Sequence, residues 1–106
     1  MQEWSQAELL LQAEAAASPF AVFLYTPFCG TCKLTERMLT IITTMEPQLP
    51  IYKSNINFLP QISRDWQITS VPCIVIVGEN QNMEFVYRMK AVDDLYKLLR
   101  TRLLSC

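Results

Sequence analysis

The sequence predicts an α/β fold, a mixed four-stranded sheet with helices on both faces. Three observations carry this expectation. Short apolar runs alternate along the chain with stretches of helical spacing, the pattern of crossover units. The last two apolar runs are separated only by Gly78-Glu79-Asn80-Gln81-Asn82, a polar turn short enough to impose antiparallel pairing. The run at 20–25 leads into Cys29-Gly30-Thr31-Cys32 and then a long helical pattern, so a strand delivers two sulfurs to the start of a helix.

Each element has its own signal. A first helix is expected over 5–17, where Ser5-Gln6-Ala7-Glu8 has the form of a capping box and Leu10 and Leu11 share an apolar face. Ser18-Pro19 separates it from a first strand at 20–25. The following helix carries Leu34, Met38, Ile41, Ile42 and Met45 at helical spacing, and Pro47 and Pro50 prevent its extension. A short second strand is expected at 51–55. Pro60 opens a further helix with Ile62 and Trp66 facing inward. Val71-Pro72 leads into the most apolar strand, 74–77, and the polar turn into a final strand at 83–88. The last helix places Leu95, Leu98, Leu99 and Leu103 on one face. Trp4, Phe58 and Trp66 are expected to pack in the core.

A chain of 106 residues predicts one domain, 1–106, and 51% apolar residues suffice for its core. A net charge of -1 without a basic patch argues against nucleic acid and against electrostatic attachment to a membrane. The apolar runs stop at about six residues, far short of a membrane span. Glu3, Glu8 and Glu14 interrupt the N-terminal segment, which has no basic start, so no secretory signal is expected and the cytoplasm is the expected location. The four cysteines, at 29, 32, 73 and 106, sit among well-patterned elements rather than in a loop-rich disulfide scaffold. One close pair and no histidine argue against a zinc or iron–sulfur site, so no metal is expected. Cys106 reads as a free thiol at the chain end.

The cysteine pair carries the chemistry. A helix start offers unpaired N–H groups and the positive end of the helix dipole, and both favour thiolate over thiol. Cys29 therefore reads as the nucleophile. Cys32, inside the first turn, can reach back to resolve a mixed disulfide. The plainer reading is a pair of buried structural cysteines. For Pro72 the plainer reading is a trans proline opening a strand, and for Cys73 a small buried hydrophobe.

Thr26-Pro27-Phe28-Cys29-Gly30-Thr31-Cys32-Lys33 resembles the active-site loop of the thioredoxin family. Ile68-Thr69-Ser70-Val71-Pro72, followed by Cys73-Ile74-Val75-Ile76-Val77, resembles the family's cis-proline loop and the strand after it. Lys53 and Asn55 also resemble family positions. The likeness runs from about residue 20 to the end. It implies a strand order of second, first, third, fourth with the last strand antiparallel. It also implies a cis Val71–Pro72 bond and a substrate groove formed by Phe28, Gly30, Thr31, Val71 and Pro72. Larger members begin with an extra strand, for which the residues before the first helix leave no room, so that strand is expected to be absent.

The chain departs from the family pattern at several positions. The buried aspartate before the site is Phe23, the proline between the cysteines is Thr31, the tryptophan before them is Phe28, and a glycine beside the groove is Ala91. Glu36, one turn after Cys32, reads as a solvated surface residue, and Lys53, without the aspartate, as reaching solvent. Cys73 and Lys53 are possible accessories to the site. The resemblance implies a monomeric thiol–disulfide oxidoreductase that reduces protein disulfides, serves cell redox homeostasis, and needs no bound cofactor. Its electrons would come from a flavoprotein thioredoxin reductase. The competing reading is a docking module that keeps the fold and performs little or no turnover.

Overall fold

The computed structural model describes residues 1–15 and 17–104. Cys106 lies outside them. The elements run β1 (Gln2–Glu3), α1 (Gln6–Ala15), β2 (Phe20–Tyr25), α2 (Gly30–Met45), β3 (Ile51–Asn55), a 3-10 turn (Ile56–Phe58), α3 (Pro60–Asp65), β4 (Cys73–Val77), a second 3-10 turn (Glu79–Gln81), β5 (Met83–Val86) and α4 (Val92–Leu103).

The sheet has five strands, in the order β1-β3-β2-β4-β5. The four expected strands stand in the expected order, and the N-terminal strand is present after all. Two residues suffice because an edge strand needs partners on one side only. Gln2 and Glu3 pair in parallel with Tyr52 and Lys53, and the Trp4 amide continues the ladder to the Lys53 carbonyl at 2.9 Å. Trp4 then stacks on Tyr52, with ring centroids 3.7 Å apart. Serine at 54 closes the corner, its hydroxyl donating to the Trp4 carbonyl at 2.7 Å.

Strand direction needs a second correction. β4 runs antiparallel to β2 as well as to β5, so the reversed strand is the third of the expected four rather than the last. The chain re-enters the sheet at the end where β3 left it, beside the start of α2.

Side chains alternate strictly across the sheet and divide the core into two layers. Ala21, Phe23, Ile74 and Ile76 face α2 and α4, where they meet Leu39, Ile42, Leu95 and Leu99. Phe20, Val22, Leu24, Cys73, Val75 and Val77 face α1 and α3, where they meet Leu9, Ala13 and Ile62. Covering both faces explains why β2 and β4 read as continuous apolar runs. The capping box at α1 forms as expected, with Ser5 N–H donating to Glu8 Oε1 at 3.0 Å and Glu8 N–H to Ser5 Oγ at 3.2 Å.

The helical pattern of α2 is only half buried. Cys32, Thr35, Met38, Leu39 and Ile42 face the sheet, while Leu34, Ile41 and Met45 are exposed. Phe58 is likewise exposed, against the expectation that it packs. Trp4 and Trp66 do pack against the α1/α3 layer.

Candidate active site

β2 ends at Tyr25, and four residues later the chain turns into α2 with Cys29 as its N-cap. Cys29 has extended backbone (φ -124°, ψ 112°), and its sulfur accepts the Cys32 backbone N–H at 3.1 Å. A sulfur thus occupies the place that serine or aspartate oxygen usually fills. The Thr31 hydroxyl lies 3.3 Å from the same sulfur. Cys29 is partly exposed, Cys32 is buried, and both are free thiols.

The two thiols are driven apart in acidity. Hydrogen bonding to the Cys32 side chain and to Thr31 holds the Cys29 thiol below the ordinary thiol range. Burial, reinforced by the bond to Cys29, pushes Cys32 up to about 11. The partly exposed sulfur is therefore the more readily ionised of the two, and its buried neighbour keeps its proton to higher pH.

Val71 and Pro72 precede β4, whose first residue, Cys73, pairs with Leu24 near the end of β2. The antiparallel entry of β4 brings this loop to the same sheet edge as the cysteine pair. The Val71–Pro72 peptide bond is cis. Val71 packs against the core layer that contains Cys32. Phe28 and Gly30 are exposed at that edge, and Phe28 is 97% exposed. The 3-10 turn carrying Phe58 is tied to the loop by the Asn57 side-chain amide, which donates to Thr26 Oγ1 at 3.4 Å.

Cys73 does not join the pair. It faces the α1/α3 layer, across the sheet from Cys32. Its thiol is pushed up to about 11 by burial, against the pull of the Tyr87 hydroxyl and the Val86 backbone.

Phe23, Lys53 and Glu3 form one cross-strand row on the Cys32 side of the sheet. Phe23 is fully buried and stacks on Tyr25 at 5.6 Å. Lys53, expected to reach solvent, instead pairs with Glu36 at 3.1 Å and lies 5.7 Å from the Tyr25 ring centre. The Tyr25 hydroxyl donates to Glu3 at 2.7 Å. Burial and the Glu3 carboxylate push the Tyr25 phenol up to about 12. Sequence reasoning missed this network. Its signal was the spacing of Glu36, one turn beyond Cys32 and hence on a neighbouring part of the helix surface.

The family model described as Thioredoxin matches residues 4–101, nearly the whole chain. The chain belongs to the thioredoxin family. It is 37% identical over 83 residues to the thioredoxin-like protein YusE of Bacillus subtilis (strain 168), covering 78% of each chain. It is 24% identical over 88 residues to the thioredoxin of Chlamydia trachomatis serovar D, covering 82% of this chain and 86% of that one. Among solved structures, chloroplastic thioredoxin z superposes with a TM-score of 0.78 at 18% identity, over 93% of this chain and 90% of the other, a likeness of fold. Thioredoxin-family membership, together with the Cys29/Cys32 pair, makes the chain a thiol–disulfide oxidoreductase at the family level. Among the described residues, no helix of this thioredoxin-family chain is long and apolar enough to cross a membrane.

Proposed function

We propose that the protein reduces disulfides in other proteins, with Cys29 as nucleophile and Cys32 as resolving thiol, in the cytoplasm and in the service of redox homeostasis. The carrying observation is the Cys29 sulfur at the N-cap of α2, 3.1 Å from a backbone N–H and acidified, beside a thiol that burial keeps protonated. The Cys29 thiolate attacks one sulfur of the substrate disulfide. That bond breaks, the leaving sulfur takes a proton, and Cys29 is left in a mixed disulfide. Cys32 then gives up its proton and attacks the Cys29 sulfur. The second substrate thiol departs, and two electrons have passed to the substrate. Because Cys32 is held one turn away, this second step is effectively intramolecular.

The exposed Phe28, Gly30 and Thr31, with Val71 and Pro72 on the adjoining loop, form the surface for an extended substrate strand. Main-chain pairing there accepts many sequences. Re-reduction of the Cys29–Cys32 disulfide requires an external two-electron donor, for which a flavoprotein thioredoxin reductase is the family precedent. The protein acts as a monomer and carries no cofactor of its own. The fully buried Phe23, standing where a proton-transferring acid is expected, favours the docking-module reading as the alternative.

Redox titration of the Cys29–Cys32 couple against a defined thiol buffer tests the proposal. A strongly reducing potential is expected. An oxidising one would assign an oxidase or isomerase role, and the absence of any titration would favour the docking module. The Cys32→Ser variant should accumulate mixed disulfides with protein targets. Accumulation with Cys29→Ser instead would reverse the two roles.

A further inference from the structure

We infer that Tyr87 is a positioning residue for the loop that receives the protein substrate, its hydroxyl holding residues 69–73 in place so that the Val71 main chain is presented to an extended partner strand. The inference rests on the proposed reduction of protein disulfides and adds a residue that stands outside both sequence motifs of the site.

The loop has little else to hold it. Ile68 closes the turn after α3, its amide donating to the Ser63 carbonyl at 3.0 Å. β4 begins at Cys73, and its ladder with β5 begins at Ile74, which pairs with Val86. Between those two anchors, among the described residues, the main chain donates one hydrogen bond, from the Thr69 N–H to the Tyr87 hydroxyl at 3.3 Å. Pro72 has no N–H to give. The Ser70 and Val71 amides are unpaired among the described residues, and a free main chain is what pairing with a substrate strand requires.

The sheet register explains how Tyr87 reaches the loop. With Ile74 opposite Val86, the next pair outward is Cys73 and Tyr87. Side chains alternate, so Val86 packs on the α2/α4 layer and Tyr87, like Cys73, on the α1/α3 layer. The ring is anchored among apolar side chains while the hydroxyl is left to hydrogen-bond, the usual division within a tyrosine. That oxygen accepts from Thr69 and turns its own proton toward the Cys73 sulfur, using donor and acceptor together. One hydroxyl thus ties both ends of the segment that contains Val71 and Pro72. The ring fixes that hydroxyl from the core, so the loop is set against the sheet edge where the cysteine pair lies.

The test compares the full-length protein with Tyr87→Phe, which keeps the ring in its layer and removes the hydroxyl. The pre-reduced proteins are mixed with insulin, which offers a polypeptide to the loop, or with hydroxyethyl disulfide, which has no backbone to pair. With insulin the second-order rate should fall roughly two- to tenfold, the worth of one hydrogen bond. With hydroxyethyl disulfide it should stay at the parent value, as should the rate of Cys29 alkylation by iodoacetamide. A parent-like rate with insulin overturns the inference. Equal losses on both disulfides overturn it as well, since a general loosening of the fold would then be responsible. Amide exchange followed by NMR reads the tether directly. In the parent the Thr69 N–H should exchange at least about tenfold more slowly than that of Ser70, and Tyr87→Phe should abolish the difference. A Thr69 amide as fast as that of Ser70 in the parent overturns the inference without any variant. A parent protein that reduces neither disulfide would overturn the proposed function, while exchange at Thr69 would still decide whether Tyr87 holds the loop.

Discussion

Phe23 sits fully buried, directly across from Lys53, where the family pattern has an acid. The ring is held by Tyr25 on one side and by the α2/α4 core on the other, while Lys53 has found Glu36 instead. Phe23→Asp should lower stability by about 3–5 kcal/mol, because an aromatic core side chain is lost and a carboxyl group enters an apolar site. It should also speed release of the substrate near neutral pH, by offering Cys32 a proton acceptor. Denaturant unfolding and stopped-flow reduction of one disulfide check the two halves. An unaccelerated second step would mean that water or another group already takes the proton. Breaking the Lys53–Glu36 pair with Glu36→Gln should cost less than about 1 kcal/mol, since both partners are partly exposed. A larger loss in thermal melts would mean the pair anchors α2 to β3. The cysteines titrate in opposite directions. Cys29 alkylation should level off below the pH at which an ordinary thiol ionises, while that of Cys32 should keep rising toward about 11. Identical profiles, followed by mass spectrometry, would remove the assigned division of labour.

At the scale of the element, α1 and α2 are capped by different chemistry. The Ser5/Glu8 box at α1 is a fixed pair of hydrogen bonds. Ser5→Ala should cost about 1 kcal/mol, the usual value for a lost N-cap. A double-mutant cycle with Glu8→Ala should show coupling, and additive losses would mean the two bonds form independently. The cap of α2 is a sulfur whose quality as an acceptor changes with its charge. The far end of α2 is tied to α4 by Glu46, which accepts from the Tyr96 hydroxyl and pairs with Arg100 at 3.2 Å. The reactive end of the helix is thus built on a scaffold fixed at both its buried face and its C-terminus.

Across the whole molecule, the two core layers each bury a thiol, Cys32 on one face of the sheet and Cys73 on the other. Both are pushed up to about 11, chiefly by burial. Unfolded thiols ionise near pH 8.5, so between there and about 11 the unfolded chain binds fewer protons than the folded one. The stabilisation is complete below the unfolded value and disappears as pH rises through the folded one. The reduced protein should therefore lose stability across that window. Urea unfolding at successive pH values measures the loss, and Cys73→Ala, compared with its own stability at pH 7, should show a shallower decline. An unchanged slope in the alanine variant would assign the alkaline loss to other groups.

Local pattern was enough for most of the elements. The Ser5-to-Glu8 box, the apolar runs of β2 and β4, the helix-stopping prolines and the cysteine pair at a strand–helix junction are short-range signals, so sequence alone determined α1, the strands β2 to β5 and the place of Cys29 and Cys32. β1 escaped because two polar residues make no periodic pattern, and its pairing with residues some fifty positions away is a long-range event. The direction of β4 depended on which end of the sheet the connection over 56–72 returned to, a long-range outcome. The face on which Cys73 lies depended on the register of that strand, since neighbouring residues point to opposite sides of the sheet. The Lys53–Glu36 pair and the exposure of Leu34, Ile41 and Met45 depended on which face of α2 met the sheet. Helical spacing alone left that choice open, because apolar residues occupied more of the circumference than one interface could bury.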